Sequence, residues 1–207
     1  MSKTLIIVAH DDDEALMAGG YIAKFARYRD IAVLSSVRCT EEQANGAAEN
    51  SKLYSFTHES LNLTQWNVRL HDLARMYSEA IAKHTPDILI THPPFDTHQE
   101  HKLVHDAVEI ATRAVDMRGV GNCHYVPTIM FGYGTGSFEN ADSFAKPDCF
   151  VWLDDDHLQI KLDMLRRYGK EMKGVRSEEG AVVDAKFWGK LVNYRYAEAF
   201  LIKRFSL

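Results

Sequence analysis

Two short stretches of this chain combine histidine with carboxylates densely enough to do chemistry. The first is His10-Asp11-Asp12-Asp13-Glu14. The second is His92-Pro93-Pro94-Phe95-Asp96-Thr97-His98-Gln99-Glu100-His101. Imidazole and carboxylate together suit a divalent metal, and zinc in hydrolases takes three such protein ligands and keeps one position for water. His10 and Asp13 with one histidine of the second stretch meet that count. His98 and His101 lie three residues apart, so both face one side of a helix start. One of them can bind metal while the other meets substrate. A carboxylate beside the water at such a metal can take its proton, while the metal acidifies the water and polarises the carbonyl under attack.

Both stretches also have plainer uses. The acids from Asp11 to Glu14 can cap a helix, where they answer free amides and the helix dipole. Thr97 and Glu100 form a T-x-x-E capping box. His92 can simply pack under the Pro-Pro turn. His58, His71, His84, His105, His124 and His157 have no carboxylate-rich context and read as surface or satisfied helix histidines.

For the two stretches to meet, each must leave the C-terminal end of a strand in one parallel sheet, the edge where ligands sit in open α/β folds. The pattern supplies this. Leu5–Ala9 is a continuous apolar run of the kind that fits a strand buried on both faces. A helix over 14–28 follows, then strand 31–37, helix 67–84, strand 87–91 and helix 98–115. The stretch 38–57 is polar and without period, and reads as a long loop, at most with a short helix. Further on, 126–132 and 149–153 read as strands around a Gly-containing loop, 155–173 as a helix and 187–200 as a closing helix. The alternation predicts an α/β, Rossmann-like three-layer fold with a mostly parallel sheet, as a single domain over 1–207.

Composition narrows the function classes. The chain has 207 residues, with 46% apolar and 26% charged, which is ordinary for a folded domain. The net charge of −5 argues against a nucleic-acid partner, which needs a basic footprint. Cys39, Cys123 and Cys149 are scattered and form neither a disulfide framework nor a thiolate zinc site. Leu5–Ala9 is too short for a signal-peptide core, and no stretch reaches membrane-span length, so the sequence predicts a cytoplasmic protein without a membrane span. Gly132-Tyr133-Gly134-Thr135-Gly136-Ser137 lacks the lysine and the spacing of a phosphate loop. It reads as a loop at the site edge, with Tyr133 or Phe138 able to fold over substrate.

The paired motifs resemble those of the LmbE-like, or PIG-L, zinc-dependent N-acetylglucosaminyl deacetylases. That family has AHPDDE after its first strand, a Gly-Gly pair in the next helix, a later PxDxHxDH segment and a closing E-A-F element. Here stand Ala9-His10-Asp11-Asp12-Asp13-Glu14, Gly19-Gly20, Pro94-Phe95-Asp96-Thr97-His98-Gln99-Glu100-His101 and Glu198-Ala199-Phe200. The resemblance implies zinc on His10, Asp13 and His101, and Asp12 as the base that activates the water. It implies His98 as acid or oxyanion stabiliser, and Asp96 and Glu100 as groups that orient the histidines. The implied reaction removes an N-acyl group, usually acetyl, from an amino sugar or a similar small conjugate. Asp11 stands where the family has proline, and Glu100 where it has aspartate. The family's Arg-and-Glu helix after strand two is not matched; Arg38, Glu41 and Glu42 stand nearby. Its late His-x-Ser-Gln element is replaced by Tyr168-Gly169-Lys170-Glu171.

Two other functions compete. His-Asp pairs also serve metal phosphohydrolases, though there they sit on helices, whereas His10 directly follows a strand. A degenerate member that binds carbohydrate or serves as a structural subunit fits the departures, but every implied ligand and the implied base are present. The N/O donor set accepts iron, manganese or cobalt as well as zinc.

Overall fold

The computed structural model describes residues 1–37, 40–64, 68–113, 124–134, 146–169 and 172–206. Among them, seven strands form one sheet in the order β3-β2-β1-β4-β5-β7-β6. The strands are β1 (Lys3–Val8), β2 (Asp30–Val37), β3 (Thr57–Leu63), β4 (Ile88–Thr91), β5 (Thr128–Gly132), β6 (Cys149–Leu153) and β7 (Tyr196–Phe205). Strands β1 to β5 run parallel, and β7 is antiparallel to both neighbours. The helices are α1 (Asp13–Phe25), α2 (Glu41–Tyr54), α3 (Leu70–His84), α4 (Gln99–Ala111), α5 (Asp155–Arg166) and α6 (Glu178–Leu191). This is the three-layer, mostly parallel α/β architecture that the alternation predicts.

Alternate residues of β1 divide the core. Ile6 and Val8 face α1, α5 and α6, while Leu5 and Ile7 face α3 and α4. From β1 the chain winds outward to β2 and β3, then crosses back by the opposite face to β4 on the other side of β1. The winding direction therefore reverses between β1 and β4. A crevice opens at such a switch point outside the strands' C-terminal ends, and both histidine stretches begin there.

Four readings of the sequence need correction. The segment 38–57 holds the four-turn helix α2 rather than a long loop; Arg38 and Cys39 lie outside the described residues. Its buried face is Gln43, Gly46, Ala47 and Asn50, which has helical spacing but no large apolar residue. The Thr40–Gln43 capping box at its start was the visible signal. The segment 57–63, unassigned in the sequence, is the edge strand β3. The segment 187–200 is not one helix: α6 ends at Leu191, Asn193 turns left-handed at φ 62°, and Tyr196 opens β7. Tyr196–Phe200 is buried between two strands, and that burial overrides the helical propensity of Ala and Glu. Helix α5 also stops at Arg166, short of 173.

Helix α1 is interrupted, and the interruption explains two motifs together. Ala18 leaves helical geometry at φ −143° and ψ 16°. In an unbroken helix the Gly20 N–H would bond the Leu16 carbonyl. Here Gly20 N–H donates to Glu198 Oε1 at 2.7 Å, Tyr21 N–H donates to Glu198 Oε2 at 2.7 Å, and Lys161 Nζ donates to the Leu16 carbonyl at 2.8 Å. Lys161 and Glu198 join each other at 2.6 Å, buried. A Cβ on Gly20 would lie 2.5 Å from Leu153 Cδ1 and 2.9 Å from Glu198 Cδ, so glycine is needed for the approach. Gly19-Gly20 and the closing Glu198 are thus two halves of one contact.

Lys161→Met is expected to leave the Glu198 charge buried without its cation and to cost about 3–5 kcal/mol. Gly20→Ala is expected to cost about 1–3 kcal/mol by overpacking. Denaturant melts of both variants measure this, and an unchanged midpoint for Lys161→Met would remove the pair from the stability of α1.

Candidate metal centre

The turn after β1 brings His10 and Asp13 together at once. The His10 backbone N–H donates to Asp13 Oδ2 at 2.8 Å, and His10 Nδ1 lies 3.2 Å from the same oxygen. The segment after β4 then delivers His101 from the first turn of α4, with Nε2 3.4 Å from Asp13 Oδ2. Each imidazole has its other nitrogen fixed by a carboxylate. Asp96 Oδ2 lies 2.8 Å from His101 Nδ1, and Glu100 Oε2 lies 2.6 Å from His10 Nε2. Asp96 also accepts the His98 backbone N–H at 2.8 Å, which shapes the turn into α4.

These residues fit a divalent metal. His10, Asp13 and His101 each offer a ligand atom in one compact group. A tetrahedral ion with bonds of about 2.0–2.1 Å has donors about 3.3 Å apart, and the two imidazole nitrogens lie 3.2 and 3.4 Å from Asp13 Oδ2. Carboxylates on the outer nitrogens are what aims histidine at a metal. Without a cation, protons occupy the gap. Burial pulls the His10 imidazole down, but the bond to Asp13, its charge and Glu100 outweigh this and raise it to about 9. The same opposition, with Asp13 and Asp96 prevailing, raises His101 to about 10. Burial works to raise Asp13, yet His101 and His10 hold it well below the usual carboxylate range.

The other residues sort by direction. Asp12 lines the cavity in front of this group; burial, helped by Asp13, raises its carboxyl to about 6 against the opposing charges of Arg176 and His10. Its Oδ2 accepts from Arg176 Nη2 and from Gln43 Nε2. Its Oδ1 is buried and has no hydrogen-bond partner among the described residues. Asp11 turns away toward β3, with Oδ1 3.4 Å from His58 Nε2. That contact gives His58 a carboxylate neighbour and turns Asp11 away from the cavity that Asp12 lines. Glu14 points into the core and accepts the Tyr168 hydroxyl; burial holds its carboxyl well above the usual range. So the acids from Asp11 to Glu14 diverge, and the Asp12 side chain makes no capping bond at α1.

His98 is the N-cap of α4, makes no side-chain capping bond, and leaves its ring half exposed at the cavity rim. The T-x-x-E box is not formed, because the N-cap of α4 is His98 and not Thr97; Glu100 reaches His10. Burial, followed by the charges of His101 and His10, lowers the His98 imidazole. His92 stacks on His101 with centroids 4.0 Å apart. Its Nε2 accepts the Ala9 N–H at 3.0 Å, which occupies that nitrogen's lone pair, and His92, Asp96 and His101 form a further compact group of donors beside the first.

His10, Asp12, Asp13, Asp96, His98 and His101 all border a cavity of about 630 Å³, together with Thr40, Gln43, Gly134, Val175 and Arg176. The sequence did not single out Gln43 or Arg176. Thr40-x-x-Gln43 was visible as a helix start, but nothing marked Arg176. Tyr133 does not cover the cavity: it is buried against Phe95 and Trp188. Phe138 and the rest of 135–145 lie outside the described residues, as do Lys170 and Glu171.

No protein-family model matches the sequence, and no curated protein matches it. Solved structures do. The conserved protein TT1542 from Thermus thermophilus superposes with a TM-score of 0.84 at 19% identity, over 100% of this chain and 97% of that one. N,N'-diacetylchitobiose deacetylase from Pyrococcus horikoshii gives 0.79 at 17%, over 97% and 83%. The 4-carboxy-2-hydroxymuconate hydratase GalB from Pseudomonas putida gives 0.77 at 16%, over 100% and 98%. The chain has the fold of these proteins.

At pH 7 the metal-free site holds protons on both His10 and His101. Adding Zn²⁺ is therefore expected to release nearly two protons per ion, and affinity is expected to climb with pH up to about 9–10. Calorimetry in buffers of different ionisation enthalpy measures this, and proton release near zero would argue against this ligand set.

Proposed function

We propose that this chain is a metal-dependent hydrolase that removes an N-acyl group, acetyl foremost, from an amino sugar or a similar small conjugate. Zinc held by His10, Asp13 and His101 is the metal of this reading, and the cytoplasm its compartment. The observation that carries it is the convergence at one cavity of two carboxylate-aimed imidazoles, Asp13, and Asp12, whose buried Oδ1 has no hydrogen-bond partner among the described residues. The fold likeness to a chitobiose deacetylase supports the reading.

A divalent cation at this place supplies Lewis acidity, acidifying a water and polarising the amide carbonyl. The protein supplies the rest. Asp12 takes a proton from the water through Oδ1, and the water oxygen bonds to the carbonyl carbon. His98, kept neutral by its lowered affinity for protons, donates an N–H toward the oxygen where negative charge develops. Asp12 then passes its proton to the nitrogen, the C–N bond breaks, and a free amine and a carboxylic acid leave, the acid losing its remaining proton to solvent. Asp96 and Glu100 keep the imidazoles aimed throughout.

A second reading has one observation in its favour, the comparable likeness to a hydratase. A base and a cation that deliver water to a carbonyl can also deliver it to a polarised C=C bond.

The test is a panel of N-acyl amino sugars, including N,N'-diacetylchitobiose, assayed for free amine with and without chelator. An unsaturated hydroxy-dicarboxylate is followed in parallel by loss of absorbance. Amine release that chelation stops is expected. Asp12→Asn is expected to keep its metal and lose about 10²–10⁴-fold in kcat, and His101→Ala to lose the metal by elemental analysis. Full activity in Asp12→Asn would displace the base, and turnover of the alkene alone would favour the hydratase. Bound metal with no turnover would favour a binding protein.

A further inference from the structure

The chemistry above asks something of Asp12 that the metal ligands do not provide. One carboxylate oxygen must stay free of donors while the other is held. We propose that Arg176, aided by Gln43, is the positioning residue that sets Asp12 in this orientation; the proposal rests on the reading of Asp12 as the base. Arg176 Nη2 donates to Asp12 Oδ2, and Gln43 Nε2 donates to the same oxygen at 3.4 Å. Oδ1 has no hydrogen-bond partner among the described residues. Both side-chain donors therefore fall on one oxygen. The Asp12 side chain is 1% exposed and that of Arg176 38%, so the guanidinium forms cavity wall above a buried carboxylate.

The local fold delivers Arg176 from a stiff turn. It closes the short 3-10 turn Gly174–Arg176, which runs into α6. Gly174 has φ +56°, where a side chain is strained although the space around it is open. A Cβ on Gly180 would lie 2.0 Å from the Val175 carbonyl oxygen, so only glycine lets α6 start this close to the turn. Ser177 Oγ accepts the Gly180 N–H and caps α6 at the same point. Gln43 is equally fixed: its side-chain oxygen accepts the Thr40 N–H in the capping box, which leaves its NH₂ to face Asp12.

The chemical reason for arginine is constancy. A guanidinium stays charged at every working pH and presents donors in a rigid plane. A carboxylate without it can rotate about Cβ–Cγ and exchange its two oxygens. Misplacement of a reacting group by about 1 Å costs about 10²-fold in rate. The effect belongs in kcat, because Arg176 acts on the base and not on the substrate.

The test compares Arg176→Met, Arg176→Lys and Arg176→Ala with the parent enzyme, using the N-acyl amino sugar hydrolysed fastest in the panel. Metal content is expected to match the parent, while Arg176→Met and Arg176→Ala are expected to melt lower because the buried Asp12 carboxylate loses its cation, so kcat is read per folded enzyme. For Arg176→Met, kcat is expected to fall about 100-fold with KM nearly unchanged. Arg176→Lys is expected to recover part of the rate, and guanidinium ion at non-denaturing concentration to rescue Arg176→Ala. The Arg176 side-chain ¹⁵N resonance is expected to move to the position of a free guanidinium in Asp12→Asn. A parental kcat in Arg176→Met overturns the proposal. So does a raised KM at parental kcat, which would make Arg176 a substrate-binding residue. If Asp12→Asn itself stays active, the base assignment falls first; if only the arginine variants stay active, the clamp falls alone.

Discussion

One oxygen atom organises this molecule. Asp13 Oδ2 accepts the backbone N–H of His10, faces Nδ1 of His10 and faces Nε2 of His101. A buried carboxylate is costly unless its charge is answered, and here two imidazoles and a backbone amide answer it. The arrangement depends on β1 and β4 being neighbours, because His10 follows one and His101 follows the other. It depends on α1 beginning immediately after β1, since Asp13 is the first residue of that helix. Removing any of these leaves negative charge buried without partners. A divalent cation would suit the position, because its charge can stand in for the protons that raised affinity otherwise keeps on His10 and His101.

The support for this centre comes from the far end of the chain. Helix α1 carries Asp13 at its start and is interrupted at Ala18, within its second turn. The interruption persists because a lysine from α5 and a glutamate from β7 take over the backbone groups that the kink releases. Breaking such a buried pair costs several kcal/mol, while the intact pair mainly specifies one geometry. It ties the last strand to the first helix, so the two ends of the sequence share one packing unit. The glycine pair is the steric condition for this, since both inserted side chains lie close to where Cβ atoms would be.

The sequence reported these features unevenly. Strands β1, β2 and β4 were legible because they are buried on both faces and therefore largely apolar. Helix α3 was legible because Leu73, Tyr77 and Ile81 repeat at helical spacing. Helix α2 was obscured because it buries Gln43, Gly46 and Asn50, which hydropathy does not register. Strand β7 was misread because its buried residues include Ala197, Glu198 and Ala199, good helix formers whose sheet partners are set by distant chain. Arg176 was invisible for a different reason: a lone arginine in a polar stretch acquires meaning only when a carboxylate lies opposite.

The sequence by itself determined which chemistry was possible. Two His-and-carboxylate stretches after two parallel strands specify donors that a divalent cation accepts, because residue type and strand order are both local information. Only the tertiary structure decided the assignments within them. It turned Asp11 to His58, Asp12 to the cavity, Asp13 to the histidines and Glu14 to Tyr168, although the four stand consecutively. Consecutive residues at a strand-to-helix turn point in different directions, and which direction holds a ligand, a base or a core contact depends on what other elements place there. The same holds for Gln43, Arg176, Lys161 and Glu198, whose roles are pairings across the fold.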